Sequence, residues 1–284
     1  RQLGVLFLLP FVVLSLGFVV YPAADAIRLG FHTKLPFRNT FTFVGLDNFR
    51  YLVEDPVFWA AARQSCVWTA ASIALQTVFG VAIALLLHQA VRGINVFRGL
   101  LLFPYMVPTV VIALIWRWMF NPELGIVNAG LRASGLVDGD IYWFSDPAWA
   151  MVSTILLNVW KFTPFVVICV LARLQTIPVE IVEAAQVDGA GAWRRFVHIT
   201  LPALRPSFML VVIYETMMAI RHFDLFFILT EGGPAEASHV LAWHVYVETF
   251  RKLSFGTGSA LAYIMALVTF LLAFWLIRTL GRKL

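Results

Sequence analysis

The stretch PVEIVEAAQVDGAGAWRRFVHITLPALRP, residues 178–206, decides how the rest of this chain is interpreted. Pro178 suits the first position of a helix, because its missing N–H would have no partner there. Apolar residues then recur at helical spacing, which predicts a helix over 178–187. The following DGAG, residues 188–191, predicts a tight turn, since glycine tolerates positive φ. A second short helix is predicted over 192–199, and two short helices at a bend indicate a rigid surface that touches another protein.

The composition is that of a membrane protein. Apolar residues make up 61% of the 284 residues and charged residues 13%, against about half and about a quarter in soluble domains. The mean hydropathy is +0.84, so we expect membrane lipid to surround the chain. The net charge of +5 does not indicate nucleic-acid binding, because the basic residues are scattered between apolar runs.

Six apolar runs are each long enough for a helix to cross a bilayer, which takes about twenty residues. They predict an all-α, polytopic membrane protein that forms a single domain over residues 1–284. The short stretch around Leu46 and Leu52, between the first two runs, predicts an amphipathic helix at the membrane interface. The predicted spans cover residues 3–21, 65–88, 97–120, 148–171, 201–229 and 259–278.

Basic residues set the expected orientation. Six spans place both chain ends on the same side of the membrane. Lys and Arg are denser at the ends, and in the links after the second and fourth spans, than in the opposite links. By the positive-inside rule the denser regions face the cytoplasm. We therefore expect residues 178–206 and both termini to be cytoplasmic.

The sequence shows no motif for catalysis or for nucleotide binding. It lacks the Gly-x-x-x-x-Gly-Lys-Ser/Thr loop that cradles phosphates and the Gly-x-Ser-x-Gly pattern of hydrolases. We expect the chain to be no enzyme and to bind no cofactor, so that any use of ATP and Mg²⁺ belongs to another polypeptide. No metal site is predicted, because His239 and His244 are five apart and the two cysteines lie far from histidines.

Polar residues inside the spans are the candidates for a binding site. Each charged residue at a helix centre costs about 2.5–3.5 kcal/mol unless it faces water or a partner. Three helical faces carry them and are expected to converge on one wet cavity. The candidates are Tyr105 and Thr109 in the third span, Asn158, Lys161 and Phe165 in the fourth, and Glu215, Met218, Arg221 and His222 in the fifth.

The alternative for these residues is pairing between spans without any ligand. Lys161 with Glu215, or Arg221 with Asp224, would form such a pair. Each pair would neutralise its own charges, so the cost of burial alone does not distinguish a binding site from a structural contact.

Residues 178–206 resemble the EAA loop of ABC-importer permeases. The resemblance rests on Glu183-Ala184-Ala185, Asp188-Gly189-Ala190, Phe196, Ile199, Leu201-Pro202 and Pro206. It implies a coupling helix that seats in a groove of an ATPase subunit, whereas an ordinary cytoplasmic hairpin would only join two spans. The implied ATPase-coupling residues are Glu183, Ala184, Ala185, Asp188, Gly189, Ala190 and Phe196.

Further motifs resemble carbohydrate importers of the maltose-permease type, on the MalF-like side of such heterodimers. They are Phe97-Arg98, Phe103-Pro104-Tyr105-Met106-Val107-Pro108-Thr109, Trp143-Phe144-Ser145-Asp146-Pro147, Asn158-Val159-Trp160 and Leu229-Thr230-Glu231-Gly232-Gly233-Pro234. The resemblance implies the type I ABC importer permease fold in a bacterial cytoplasmic (inner) membrane. The implied partners are a MalG-like second permease, two ATPase subunits and a periplasmic or surface-anchored solute-binding protein. The saccharide-binding positions implied by the match are Tyr105, Thr109, Asn158, Lys161, Phe165, Glu215, Met218 and Ala219.

The sequence departs from the neutral-sugar pattern because Lys161, Arg221 and His222 bring positive charge to the implied site. We therefore expect an acidic saccharide such as a uronate oligosaccharide, since charge-assisted bonds to a carboxylate offset the cost of burying a cation. A glycerol-phosphate-type anionic polyol is the second choice. An ion-coupled secondary transporter is a rival, because it would also carry charges in its spans. A scaffold subunit would need no converging polar faces.

Overall fold

The computed structural model describes residues 2–34, 40–89 and 93–281. Its α-helices are α1 (Gln2–Ser15), α2 (Tyr21–Gly30), α3 (Asp47–Glu54), α4 (Pro56–His88), α5 (Ile94–Met106), α6 (Thr109–Met119), α7 (Ile126–Ala133), α8 (Pro147–Leu174), α9 (Val179–Val187), α10 (Ala192–Arg195), α11 (Leu201–Ala203), α12 (Arg205–Ala219), α13 (Asp224–Leu229), α14 (Leu241–Tyr246) and α15 (Phe255–Gly281). Three π-helical segments, Leu16–Val20, Phe196–Thr200 and Val247–Arg251, continue neighbouring helices. Two strands, β1 (His32–Lys34) and β2 (Phe41–Phe43), pair antiparallel with His32 opposite Phe43.

The predicted all-α membrane architecture is confirmed, with the short hairpin as an addition. Within the described ranges, four helical stretches are long and apolar enough to cross a membrane, and two bent helix pairs raise the total to six. The straight stretches are Phe7–Gly30, Pro56–His88, Pro147–Leu174 and Phe255–Thr279. The amphipathic helix predicted between the first two spans is α3, which begins at Asp47.

The third span is not the straight helix predicted over 97–120. It consists of α5 and α6, which meet at an angle of 95°. Pro108 has no N–H to donate and restricts the residue before it to extended backbone. Val107 accordingly has φ −74° and ψ 136°. The break leaves the last carbonyls of α5 without helical partners, which matters for the site.

The fifth span also differs from the single helix predicted over 201–229. The stretches Ala192–Ala203 and Arg205–Ala219 form a pair bent by 59°. The second stretch, α12, ends at Ala219, and a break over 220–223 separates it from α13. The Ala219 carbonyl, at the end of the helix, accepts hydrogen bonds from the His222 N–H at 3.2 Å and from Trp68 Nε1 at 3.0 Å.

The segment after the fourth span has the two-helix form that the sequence predicts. Helix α9 ends in a Schellman motif, in which the Ala190 N–H donates to the Ala185 carbonyl and the Gly189 N–H donates to the Gln186 carbonyl. Gly189 adopts φ +78° there. The predicted second helix over 192–199 is α10 followed by π-helical turns from Phe196.

The chain packs as two compact units, Arg1–Ala62 with Val240–Val268 and Arg63–His239 with Thr269–Leu284. The first unit has a core around Leu52 and Leu261, both with no exposed surface. The core of the second unit lies where α4 and α8 meet α11 and α12. Its buried members are Ala84, Leu87, Val166, Val167, Val170, Leu174, Leu204 and Val211.

Candidate functional site

Lys161 is the most unusual group of the second unit, because its side chain is only 3% exposed. Its ammonium donates to the Val107 carbonyl at 2.6 Å and to the Pro104 carbonyl at 3.4 Å. These carbonyls belong to the C-terminal end of α5, where the bend frees them. A helix C-terminus carries partial negative charge and attracts cations. Lys161 therefore caps the end of α5 through carbonyls, which carry no formal charge.

A cluster of aromatic rings lies beside this lysine. The Phe162 ring centroid lies 5.2 Å from Lys161 Nζ. Phe162 also contacts the rings of His222 at 5.0 Å and Tyr105 at 6.0 Å. Tyr105 lies parallel to Phe165 with 6.2 Å between centroids. The third, fourth and fifth spans thus meet around one positive charge, at an aromatic lining of the kind that packs against small-molecule ligands.

Two polar side chains at this site have an oxygen without a hydrogen-bond partner. Glu215 is 3% exposed and Asn158 is 1% exposed, and neither Glu215 Oε1 nor Asn158 Oδ1 meets a donor within the described ranges. Buried polar groups are normally satisfied, so such atoms in a native fold indicate water or a ligand. Glu215 lies within electrostatic range of Tyr105. The candidate site therefore offers a cation and free acceptors together.

The remaining predicted residues on the fifth span follow the end of α12. The Arg221 guanidinium is exposed, donates from Nε to the Met217 carbonyl at 3.1 Å and lies 3.6 Å from Met218 Sδ. Trp68 contacts both Ala219 and His222. Its Nε1 donates to the Ala219 carbonyl, and its ring centroid lies 6.2 Å from that of the imidazole. These residues form one rim of the aromatic cluster.

The predicted ion pairs do not form. Lys161 and Glu215, and likewise Arg221 and Asp224, are all described residues, and no salt bridge joins either pair. Lys161 instead donates to the carbonyls at the end of α5. These carbonyls are accessible because the third span is broken between α5 and α6. Thr109 is half-buried at the start of α6. In the part of the chain that the structure describes, it makes no hydrogen bond or ring contact to the other candidates.

The aromatic cluster also contains three residues that were not among the predicted site residues. Phe162 contacts Lys161 and His222, Tyr214 contacts Phe165 with 4.4 Å between ring centroids, and Trp68 contacts His222. Aromatic residues are common in spans, so composition gave no reason to choose them. A usable signal was present for Phe162, which follows the one lysine of the fourth span.

The ATPase-coupling candidates lie on one exposed segment. Glu183, Ala184, Asp188 and Gly189 are exposed, and Ala185, Ala190 and Phe196 are half-buried. The Phe196 ring packs 5.7 Å from that of Trp193, which is 76% exposed. The segment is stiffened by its cap and offers apolar surface to a partner.

A groove of about 560 Å³ lies on the other face of α8, between α4 and α5. It is lined by apolar side chains such as Phe79, Leu100 and Trp160. None of the predicted substrate-binding residues lines it. Its chemistry suits hydrocarbon, so we do not include it in the candidate site.

In the first unit, Asp55, His244 and Glu248 bring their ligand atoms within 4.8 Å of one another. The spacing of the histidines predicted no metal site, and Asp55 lies far away along the chain. The Lys252 ammonium donates to Glu248 Oε1 at 2.6 Å. A lysine already neutralises this carboxylate, so the cluster is a buried polar network, and the absence of a metal stays a prediction.

Comparison with known proteins identifies the family. The family described as binding-protein-dependent transport system inner membrane component matches residues 76–284. This chain belongs to that family. The permease is 36% identical over 266 residues to the sulfoquinovosyl glycerol transport system permease protein SmoG of Agrobacterium fabrum, an alignment that covers 93% of this chain and 86% of the relative. It is 33% identical over 264 residues to the trehalose/maltose transport system permease protein MalF of Thermococcus litoralis, covering 92% and 88% of the two chains.

A solved structure has the same fold. A chain of a bacterial ABC transporter involved in the import of the acidic polysaccharide alginate superposes on the permease with a TM-score of 0.84. The match covers 99% of this chain and 96% of that one at 22% identity. At this identity the likeness shows the fold alone. The predicted ABC importer permease fold is thereby confirmed, and so is the membership in the family.

Proposed function

We propose that this permease is the transmembrane subunit of a binding-protein-dependent ABC importer for a saccharide. Two relatives that align along most of the chain are named for the transport of sulfoquinovosyl glycerol and of trehalose or maltose. The aromatic rings of Tyr105, Phe162 and Phe165 suit the apolar faces of sugar rings. The unpartnered oxygens of Glu215 and Asn158 suit sugar hydroxyls, which donate hydrogen bonds.

The substrate that we propose is an acidic saccharide. The single observation that carries this choice is Lys161, a buried ammonium whose protein partners are neutral carbonyls. No carboxylate in the described ranges pairs with this ammonium, so a substrate carboxylate would compensate its positive charge. Hydrogen bonds to charged groups contribute about 1.5–3 kcal/mol. Arg221 and His222 add further positive or polar groups at the rim. A glycerol-phosphate-type anionic polyol would exploit the same charge.

The test separates the two roles of Lys161. Lys161→Met removes both the cap of α5 and the proposed contact with the substrate. Loss of the cap affects every substrate equally, whereas loss of the contact affects only acidic ones. We expect uptake of acidic oligosaccharides to fall about 10–100-fold more than uptake of neutral ones, from about 1.5–3 kcal/mol. Arg221→Gln should give the same preference more weakly.

Arg117→Gln provides the matched control. The Arg117 guanidinium also donates to a carbonyl of another helix, that of Ile228 at 3.0 Å, but it lies outside the aromatic cluster. Its loss should reduce the uptake of acidic and neutral substrates alike. Equal losses for both substrate classes in Lys161→Met would leave the lysine with a structural role only.

We further propose that residues 178–206 face the cytoplasm and dock on an ATPase subunit. In this arrangement ATP and Mg²⁺ are bound by two partner ATPase subunits, and this chain is not itself an enzyme and binds no cofactor. Closure of the ATPases would shift the population between inward- and outward-facing states, because the docked segment passes their motion to the spans. A MalG-like second permease and a solute-binding protein complete the proposed importer, with both termini of this chain in the cytoplasm of a bacterium.

Co-purification tests this assembly. A tag on this chain should capture a second permease and two copies of an ATPase. An ion-coupled secondary transporter would be isolated without any ATPase, and its uptake would follow an ion gradient. Labelling of single cysteines introduced into the exposed face of α9 should occur from the cytoplasmic side. Labelling from the opposite side would exclude ATPase docking by this segment.

A further inference from the structure

The contact between α4 and α8 contains buried polar side chains with atoms that have no partner. Ser72, Gln76 and Asn158 are each at most 1% exposed. Within the described ranges, no donor or acceptor meets Ser72 Oγ, Gln76 Oε1 or Asn158 Oδ1. We call these three residues the polar seam. All of them lie in the second unit, in the interior of two membrane-spanning helices.

The polar seam lies where Gln76 of α4 meets Asn158 of α8. Ser72 and Gln76 are one turn apart on α4, on the same face. Gln76 Nε2 donates to the backbone carbonyl of Asn158 at 3.4 Å, which is a long contact. Further along α4, Gly80 packs directly on Val166, so the helices are in close apolar contact there. The polar seam is therefore a localised feature between two helices that pack tightly elsewhere.

Unsatisfied polar groups are expensive in this setting. A buried donor or acceptor without a partner costs about 1–3 kcal/mol, and three of them at one helix contact would weigh heavily against the fold. Apolar cavities stay dry, whereas a polar site that offers two to four partners holds water. The seam offers one hydroxyl and two amide oxygens, all neutral. A cation is disfavoured, because Lys161 lies one turn from Asn158 on α8.

We propose that the polar seam binds ordered water molecules that bridge α4 and α8. The waters supply the donors and acceptors that the three side chains lack. Water-mediated contacts are nearly as favourable as direct ones and exchange partners easily. Asn158 belongs both to the seam and to the candidate substrate site, so the bound water adjoins that site. On the basis of the proposed function, this water also keeps the polar groups hydrogen-bonded while α8 moves against α4 during transport.

The sign of a stability change distinguishes a wet seam from a dry one. If water bridges the helices, Ser72→Ala removes a hydrogen bond of about 0.5–1.5 kcal/mol, and the Tm falls by about 1–6 °C. If the seam is dry, the same change removes an unsatisfied hydroxyl and the Tm rises. Thr154→Val calibrates the scale, because Thr154 Oγ1 is equally buried but donates to the Ala150 carbonyl at 2.8 Å. The measurement uses the assembled complex in lipid nanodiscs.

Radiolytic labelling gives a second, independent readout. X-rays produce hydroxyl radicals from bound water, and the radicals oxidise a neighbouring thiol. We expect the cysteine in Ser72→Cys to be oxidised several-fold faster than the cysteine in Val166→Cys, although both positions are at most 1% exposed. Equal rates at the two positions, or a higher Tm for Ser72→Ala, would overturn the proposal. Neither readout requires transport, so a failure here is distinct from a failure of the proposed function.

Discussion

Gly189 provides the most direct test of the coupling hypothesis. It ends α9 with φ +78°, and an added Cβ would meet no atom within 4 Å. The effect of a substitution therefore comes from the backbone and not from a clash. A residue with a side chain costs about 1–2 kcal/mol in this left-handed conformation. Gly189→Ala should lower the population of the bent segment about 5–30-fold.

Proline at the same position is more disruptive. Its ring fixes φ near −65°, so it cannot adopt the observed backbone, and it lacks the N–H that donates to the Gln186 carbonyl at 3.0 Å. We expect Gly189→Pro to abolish the cap, at a cost of about 3 kcal/mol or more. Asparagine adopts the left-handed region more readily than other residues, so Gly189→Asn should be the mildest change.

The assay measures ATP hydrolysed per saccharide imported, with the assembled complex in liposomes. The ratio should rise in the order Asn, Ala, Pro, because the ATPases still cycle while their motion reaches the spans less often. Gly191→Ser is the matched control. Gly191 has φ −63° and open surroundings, and serine is a favoured helix N-cap. An unchanged ratio in Gly189→Pro would refute the idea that this bend transmits the motion.

Three further predictions concern packing and charge. Trp143→Phe removes the donor to Asn128 Oδ1, at 2.7 Å, and should lower the Tm by about 2–12 °C, from about 1–3 kcal/mol; circular dichroism in nanodiscs measures it. Gly80→Ala places a methyl 2.5 Å from Val166 Cγ1 and should cost about 1–3 kcal/mol, and added Val166→Ala should restore part of the Tm. Lys252→Met leaves its buried glutamate partner without a cation and should also lower the Tm. The hydrogen bond to that glutamate raises the pKa of Lys252, so the contribution is present below the ordinary lysine pKa of about 10.4 and is lost as the pH rises through the higher pKa of the folded protein. A Tm difference between wild type and Lys252→Met that persists unchanged at strongly alkaline pH would contradict the last prediction.

Local signals in the sequence predicted local structure well. The helix after Pro178 ends at Val187, as the turn residues that follow it indicate. Of the two glycines in the predicted turn, Gly189 adopts positive φ. These features depend on neighbours within one or two turns, and their chemistry is visible in a short window of sequence.

The bend in the third span was missed because hydropathy does not register geometry. Residues 97–120 are mainly apolar, with Arg98 and Arg117 near the two ends, so a straight helix satisfied the length rule. Pro108 was a usable signal, since it restricts Val107 to extended backbone. The partner of Lys161 was beyond reach for a different reason. The carbonyl that it contacts lies 54 residues away and becomes free only when the helix breaks.

The tie between Lys161 and the carbonyls at the bend has an evolutionary consequence. In a homologue with a straight third span, those carbonyls would accept hydrogen bonds within their own helix. A lysine at position 161 would then be buried without a partner. In a homologue with the bend but without a cation, the carbonyls would lack a hydrogen-bond donor. The lysine and the proline should therefore be inherited together and lost together, so that a change at either position in this lineage requires a second, coordinated substitution in a distant part of the gene.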